Sequence, residues 1–278
     1  MNILEFTIII GVISLAAGIL GSLTGLGGGV VIIPVLTLGF GIDIRYAIGA
    51  SLVSVIATSS GAAAAYVKEG FTNIRLGMFL EIATTLGALS GAFLAARVST
   101  QVIAVIFGIV LLWSAYVEIK SRDSKDEERG EDRLAVLLKL GSWYPSPHGP
   151  KPYTVHSVTG GFGLMVIAGI LSGLLGIGSG SLKVLAMDRI MKVPFKVSTT
   201  TSNFMIGVTA ATSAGVYLNR GYIDPGITMP VMLGVAFGSL LGAKILVQTG
   251  TKLLKLIFSI VIIFLAAEMI YNGITGTL

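Results

Sequence analysis

Cysteine is absent from the 278 residues, so disulfides, thiolate metal sites, iron–sulfur clusters and cysteine nucleophiles are excluded together. Charge is scarce as well. Asp, Glu, Lys and Arg make up 12% of the chain, about half the share of an ordinary soluble domain. The two histidines, His148 and His156, fall in or at the end of a polar stretch, which removes an imidazole metal cluster or a Ser–His pair from the apolar segments. No G-x-x-x-x-G-K-[ST] sequence occurs, so ATP-driven work would need another subunit. The cluster at Gly25 fails the dinucleotide pattern G-x-G-x-x-G because Val30 takes its last place. Neither an enzyme nor a cofactor is expected.

Apolar sequence is what remains. Hydrophobic residues make up 54% of the chain, gathered in eight blocks at 7–40, 46–67, 74–98, 102–120, 158–191, 197–218, 226–247 and 253–274. A bilayer-crossing helix needs about 20 such residues, so the chain reads as an all-α polytopic membrane protein. Its N-terminal block has a signal-like apolar core, but Glu5 and no cation precede it, so it is kept in the mature protein. Three parts are expected: a first transmembrane repeat at 1–120, a charged and proline-rich cytoplasmic linker at 121–156 with one surface helix near Leu134 to Leu140, and a second repeat at 157–278. The net charge of +5 sits in loops beside apolar blocks, where positive-inside placement accounts for it. The partners implied are lipid bilayer and not nucleic acid.

Adding 151 to a residue number superimposes the halves. Gly18, Gly25, Gly27, Gly29, Gly70, Gly87 and Gly91 fall on Gly169, Gly176, Gly178, Gly180, Gly221, Gly238 and Gly242; Ser51 falls on Ser202, Thr58 on Thr209 and Tyr66 on Tyr217. The first block of each half is too long for one crossing and is interrupted by glycines, Gly25 to Gly29 and Gly176 to Gly180, each costing a helix roughly 1 kcal/mol. Both blocks are therefore predicted to break. If they also double back, fourteen of the 19 Lys and Arg lie on the linker side and only Arg45, Arg97 and Arg220 on the other. Single crossings give no such bias. The expected fold is thus two inverted repeats, each with a glycine-broken or re-entrant first helix pair plus three transmembrane helices, the linker cytoplasmic and both termini outside.

The segments GLGGGVVIIPVL, from Gly25 to Leu36, and AIGASLVSVIATSSGAAAAY, from Ala47 to Tyr66, together with their repetition, resemble the TauE/SafE family of sulfite and organosulfonate exporters. The resemblance spans nearly all of the chain outside the linker. It implies a secondary transporter in the cell (plasma or inner) membrane, probing as substrate a small sulfur-containing anion such as sulfite or an organosulfonate, or a related carboxylate. The second cluster departs from the first, with Ser179 for Gly28 and Lys183 for Ile32, and substrate choice is expected to lie in that asymmetry. An anion channel is the alternative mechanism and a membrane scaffold the remoter one. A homo-oligomer is compatible with the sequence, which does not decide it.

Candidate substrate-binding residues follow from the breaks. Gly25, Gly27, Gly28 and Gly29, with Gly176, Gly178, Ser179 and Gly180, would bring backbone close to a ligand and aim half-helix N-termini at it. Packing is the plainer reading, and it is preferred for Gly87, Gly91, Gly238 and Gly242. Lys183, an ammonium costing about 3 kcal/mol at the bilayer centre unless paired, is the best single candidate for holding the anion; its structural alternative is an ion pair with Glu81. Ser51 and Thr58 on one helical face, and Ser202 and Asn203 in the sixth block, supply neutral donors. Glu81 is a candidate proton-coupling group.

Overall fold

A computed structural model of the chain describes residues 2–24, 28–68, 70–120, 132–145, 149–248 and 251–277, with side chains for all of these except 3, 22–24, 61–68, 117–120, 242–248 and 251–258. The apolar blocks fold as helices, because in lipid every backbone N–H and C=O must be satisfied within its own segment. The first half holds α1 (Ile3–Thr24), α2 (Gly29–Pro34) running into a π-helical turn (Val35–Gly39), α3 (Ile44–Lys68), α4 (Ile74–Ala95) and α5 (Thr100–Lys120). Between the halves lie α6 (Arg133–Leu137) and two strands, β1 (Ser142–Tyr144) and β2 (Lys151–Tyr153). The second half holds α7 (Val158–Leu175), α8 (Gly180–Leu185) with its own π turn (Ala186–Ile190), α9 (Phe195–Asn219), α10 (Pro225–Gln248) and α11 (Thr251–Thr275).

The offset of 151 carries α2 onto α8, each π turn onto the other and α3 onto α9, end for end. Pro34 does not cause the π turn, since Leu185 holds its place in the second half. Each broken element doubles back on itself. The rings of Phe6 and Phe40 meet edge to face at 5.6 Å, and the His156 N–H donates to the Met191 carbonyl at 3.0 Å, so both ends of each element lie on one side.

The halves exchange partners. The first helix of each packs on the fourth of the other, α1 with α10 and α7 with α4, while α3 meets α9 and α5 meets α11. Glycine permits the closest of these approaches: a Cβ at Gly87, Gly91, Gly169 or Gly173 would press into facing backbone between α4 and α7, as it would at Gly18, Gly234 or Gly238 between α1 and α10. Repeat-equivalent helices run in opposite directions. Tyr46 near the start of α3 meets Tyr222 just beyond α9, whereas Ser59 further along α3 faces Gly207, nearer the start of α9. Gln101 and Gly273 likewise pair opposite ends of α5 and α11.

Among the described residues, three helices, α1, α4 and α7, are long and apolar enough by themselves to cross a membrane. Large side chains on the outer faces stay exposed, among them Ile8, Val12, Ile82, Leu86, Phe237 and Phe264. Apolar surface on that scale marks contact with a membrane or with another protein.

The end of the linker is more than a solvated tether. The three-residue strands pair antiparallel, with Trp143 opposite Pro152, and Ala135, Leu140 and Val155 are buried with Leu76 and Leu80 of α4. Asn73 caps α4, its Oδ1 accepting from Leu76 N–H at 3.0 Å, while its Nδ2 donates to the Leu140 carbonyl and the Tyr153 hydroxyl, each at 2.8 Å. Asp132 accepts from the N–H groups of Leu134 at 2.9 Å and Val158 at 2.8 Å, fixing the starts of α6 and α7 with one carboxylate. Those hydrogen bonds hold the Asp132 carboxyl below its usual range. Burial pushes the Tyr153 phenol up to about 12.

Candidate functional site

The second break is built from three residues with positive φ: Gly176 at 68°, Gly178 at 68° and Ser179 at 45°. Glycine takes this conformation without strain, whereas a side chain there costs roughly 1–2 kcal/mol. Ser179 therefore sits where glycine would be favoured. Its repeat mate Gly28 has φ of −64°, which any residue adopts. The exchange of Gly for Ser thus runs against backbone need. The Ser179 hydroxyl is buried and its Oγ finds no hydrogen-bond partner among the described residues, an uncommon state for a buried polar atom.

Around this break the predicted residues gather unevenly. Ser51 Oγ donates to the Gly176 carbonyl at 2.7 Å, and a Cβ on Gly29 would strike that same hydroxyl, so Gly29, Ser51 and Gly176 form one contact between the two breaks. Ser202 Oγ donates to the Gly180 carbonyl at 3.2 Å. Gly28 packs against Val235 of α10 and Gly178 against Ile206 of α9. Thr58 is half-buried and returns its hydroxyl to the Ser54 and Val55 carbonyls of its own helix. Asn203 is half-buried on α9, one residue and hence about 100° around from Ser202. Gly25 and Gly27 lie outside the described residues.

Lys183 stands one turn into α8 and is fully buried, at 0% exposure. Its Nζ donates to Thr209 Oγ1 at 2.5 Å, and Thr209 Oγ1 donates to Glu81 Oε1 at 2.7 Å. Thr209 is thus a bridge between ammonium and carboxylate, carried in from the middle of α9, while α4 supplies Glu81 and α8 supplies Lys183. Thr85 adds a longer contact to Glu81 Oε1 at 3.4 Å. The other carboxylate oxygen, Oε2, is buried without a partner among the described residues. A buried cation and a buried anion are thus joined through one hydroxyl.

The repeat mates of Lys183, Thr209 and Glu81 are Ile32, Thr58 and Met232, so neither charge has a charged counterpart across the repeat, and the site draws one charge from each half. The sequence matches Thr209 with Thr58 but gives it no place in the site. The available signal is that register, together with two charges, Lys183 in the second half and Glu81 in the first, that have no charged counterpart across the repeat. Among the described residues, no group of three His, Asp or Glu side chains is placed to hold a metal ion.

Comparison with known proteins bears on the whole chain. The model of the family described as Sulfite exporter TauE/SafE matches residues 10–269. The chain is 31% identical to the "Probable membrane transporter protein YunE" of Bacillus subtilis (strain 168), over 98% of this chain and 99% of that protein. It is 27% identical to the "Probable membrane transporter protein MJ0441" of Methanocaldococcus jannaschii, over 92% and 91% of the two chains, and 26% identical to the "Probable membrane transporter protein YdhB" of Bacillus subtilis, over 82% and 85%. No solved structure matches.

Proposed function

Because the chain belongs to the TauE/SafE sulfite exporter family, we propose that this multi-pass cell-membrane protein is a secondary carrier of small sulfur-containing anions, sulfite or an organosulfonate, held by Lys183 and exchanged across the membrane by alternating access. The single observation that carries the reading is the fully buried ammonium of Lys183, joined to Glu81 through Thr209 beside a break in the chain. An ammonium inside a membrane protein is expensive and rarely kept for packing alone.

In this account Glu81 holds Lys183 when the site is empty, and an incoming oxyanion takes its place at Nζ. The unpartnered Ser179 hydroxyl and the Thr209 hydroxyl supply neutral donors to the remaining oxygens. Displaced from its cation, Glu81 is the group that would take up a coupling proton. Outward movement of a monovalent anion is also driven by the membrane potential itself, by about 2.3 kcal/mol per 100 mV, inside negative. An exporter can therefore run on the potential even where no proton moves.

Two features support inverted repeats as the machinery. Equivalent helices run antiparallel, which puts the axis relating the halves across the helices, and hence in the membrane plane. The cation bias toward the linker side fits that side being cytoplasmic. Rocking one bundle against the other about the breaks would then open Lys183 to each face in turn.

Uptake into proteoliposomes of the purified protein, measured for sulfite, methanesulfonate, acetate and sulfate with and without a pH gradient, tests the proposal. Saturable flux that prefers the sulfur oxyanions and is accelerated by anion inside the vesicles is the expected result. Unitary conductance steps without such acceleration would make it a channel, and preference for acetate would move the substrate to the carboxylates.

A further inference from the structure

On the side away from the linker, where α3 begins and α4 and α9 end, Arg45 and Arg220 line one tight cleft with Ala92, Ala95, Ala96 and Tyr217, closed over by Tyr222. The guanidinium of Arg45 lies over the Tyr222 ring, 5.9 Å from its centroid, and donates to the carbonyls of Ala95 at 3.3 Å and Val98 at 2.9 Å. That of Arg220 lies over Phe93 at 5.4 Å, and its Nη1 is buried with no hydrogen-bond partner among the described residues. Of the nearby carboxylates, Asp43 uses its Oδ1 to accept from the Arg45 backbone N–H, and Asp224 uses its Oδ1 to accept from the N–H groups of Gly226 and Ile227. Among the described residues neither guanidinium pairs with a carboxylate.

Two positive charges in one cleft repel each other, and a buried N–H without an acceptor is unfavourable. A bound anion would relieve both. The repeat sharpens this point. The counterparts of Arg45 and Tyr222 are Lys196 and Phe71, and on the linker side Lys196 Nζ does lie over the Phe71 ring, at 5.6 Å. Both mouths of the protein therefore carry a cation set against an aromatic ring in equivalent positions. The counterpart of Arg220, however, is Glu69. At the equivalent linker-side position an acidic residue thus replaces the second arginine.

We propose that this cleft is a second anion-binding station, in which Arg220 and Arg45 hold a small oxyanion between the midplane site and the space beyond the linker-distal mouth. Planar guanidinium forks match the paired oxygens of sulfite, sulfonates and carboxylates. Release of Arg45 from the Tyr222 ring makes room for the anion, so occupancy and opening of the distal mouth go together. The role of the anion as cargo rests on the carrier reading above; binding at the cleft does not.

The chain has no cysteine, so Ala96→Cys places one thiol on the cleft wall without further changes. The purified variant, in detergent, is reacted with a thiol reagent at increasing methanesulfonate, with neutral dimethyl sulfone as the uncharged control. Methanesulfonate is expected to slow modification in a saturable manner and dimethyl sulfone to leave it unchanged. Arg220→Gln should raise the half-protecting concentration at least tenfold, Arg220→Lys should recover most of the protection, and Lys183→Met should leave it within twofold of the parent. Equal protection by sulfonate and sulfone, no protection at all, or protection that survives Arg220→Gln and disappears in Lys183→Met would overturn the proposal. The sulfonate–sulfone comparison needs no arginine variant and stands even if Arg220→Gln fails to fold. Flux through Ala96→Cys, measured separately, shows whether the carrier reading fails with it.

Discussion

Lys183→Met and Glu81→Gln, made singly and together, separate an anion receptor from a structural ion pair. Lys183 is fully buried and reaches Glu81 through Thr209. Removing one member leaves the other charge inside the protein without its partner, which costs about 3–5 kcal/mol. In Glu81→Gln the ammonium keeps only hydroxyl and amide neighbours, so an apparent unfolding midpoint on the order of 10 °C lower is expected. The double variant removes both charges at nearly constant volume and should return to within about 1.5 kcal/mol of the parent, a coupling read from the thermal-shift cycle. Transport should not follow stability. If the ammonium supplies about 3 kcal/mol of anion binding, both Lys183→Met and the double variant lose on the order of 100-fold in affinity, measured as the concentration dependence of sulfite uptake into proteoliposomes. A double variant that regains stability and also transports like the parent would refute the reasoning, because the pair would then be structural.

The Ser179→Gly exchange should stabilise the empty protein by about 1 kcal/mol, because it relieves the left-handed φ of 45°, while raising the KM for sulfite by removing the free hydroxyl; an unchanged KM would take Ser179 out of the site. Gly91→Val drives a branched side chain into the Ile170 backbone and should cost about 1–3 kcal/mol in thermal melts, whereas Gly163→Ala, with open space around its Cβ, should be neutral or stabilising by up to about 1 kcal/mol. Asn73→Asp copies the repeat mate Asp224 but loses the donor that holds Leu140 and Tyr153; a penalty of about 1–3 kcal/mol in the melt is expected. Asp132 binds its N–H partners as a carboxylate held below its usual range, so its contribution is complete above about pH 4 and is lost as pH falls further. Trp143 fluorescence, with Trp113→Phe as background, should report loosening of the linker on acidification, and Asp132→Ala should remove that acid transition.

Much of the fold was legible because glycines keep their register. The matches at an offset of 151 mark where helices break and where they touch, and the bounds of α2 with α8 and α3 with α9 agree with it residue for residue. The linker was less legible. Its strands have three residues each and β2 contains Pro152, so no alternating pattern is long enough to announce them, and their burial depends on contacts with α4 that are distant in sequence. Within the site, Lys183 and Glu81 stand out as charges in apolar blocks, and charge alone points to their pairing. That Thr209 stands between them did not follow from spacing, since it depends on how α4, α8 and α9 meet. The strain at Ser179 was also hidden: Gly28 and Ser179 occupy one register position but differ in backbone conformation.

Counterflow tests the central claim most directly. Proteoliposomes loaded with unlabelled sulfite and diluted into a trace of labelled sulfite should accumulate label transiently above equilibrium, since a carrier returning from the inside must bind and bring the anion back. The Lys183→Met/Glu81→Gln protein, folded but without the buried charges, should show no overshoot. Label that only relaxes to equilibrium in the parent protein, or an overshoot that persists in the double variant, would contradict a carrier built around Lys183.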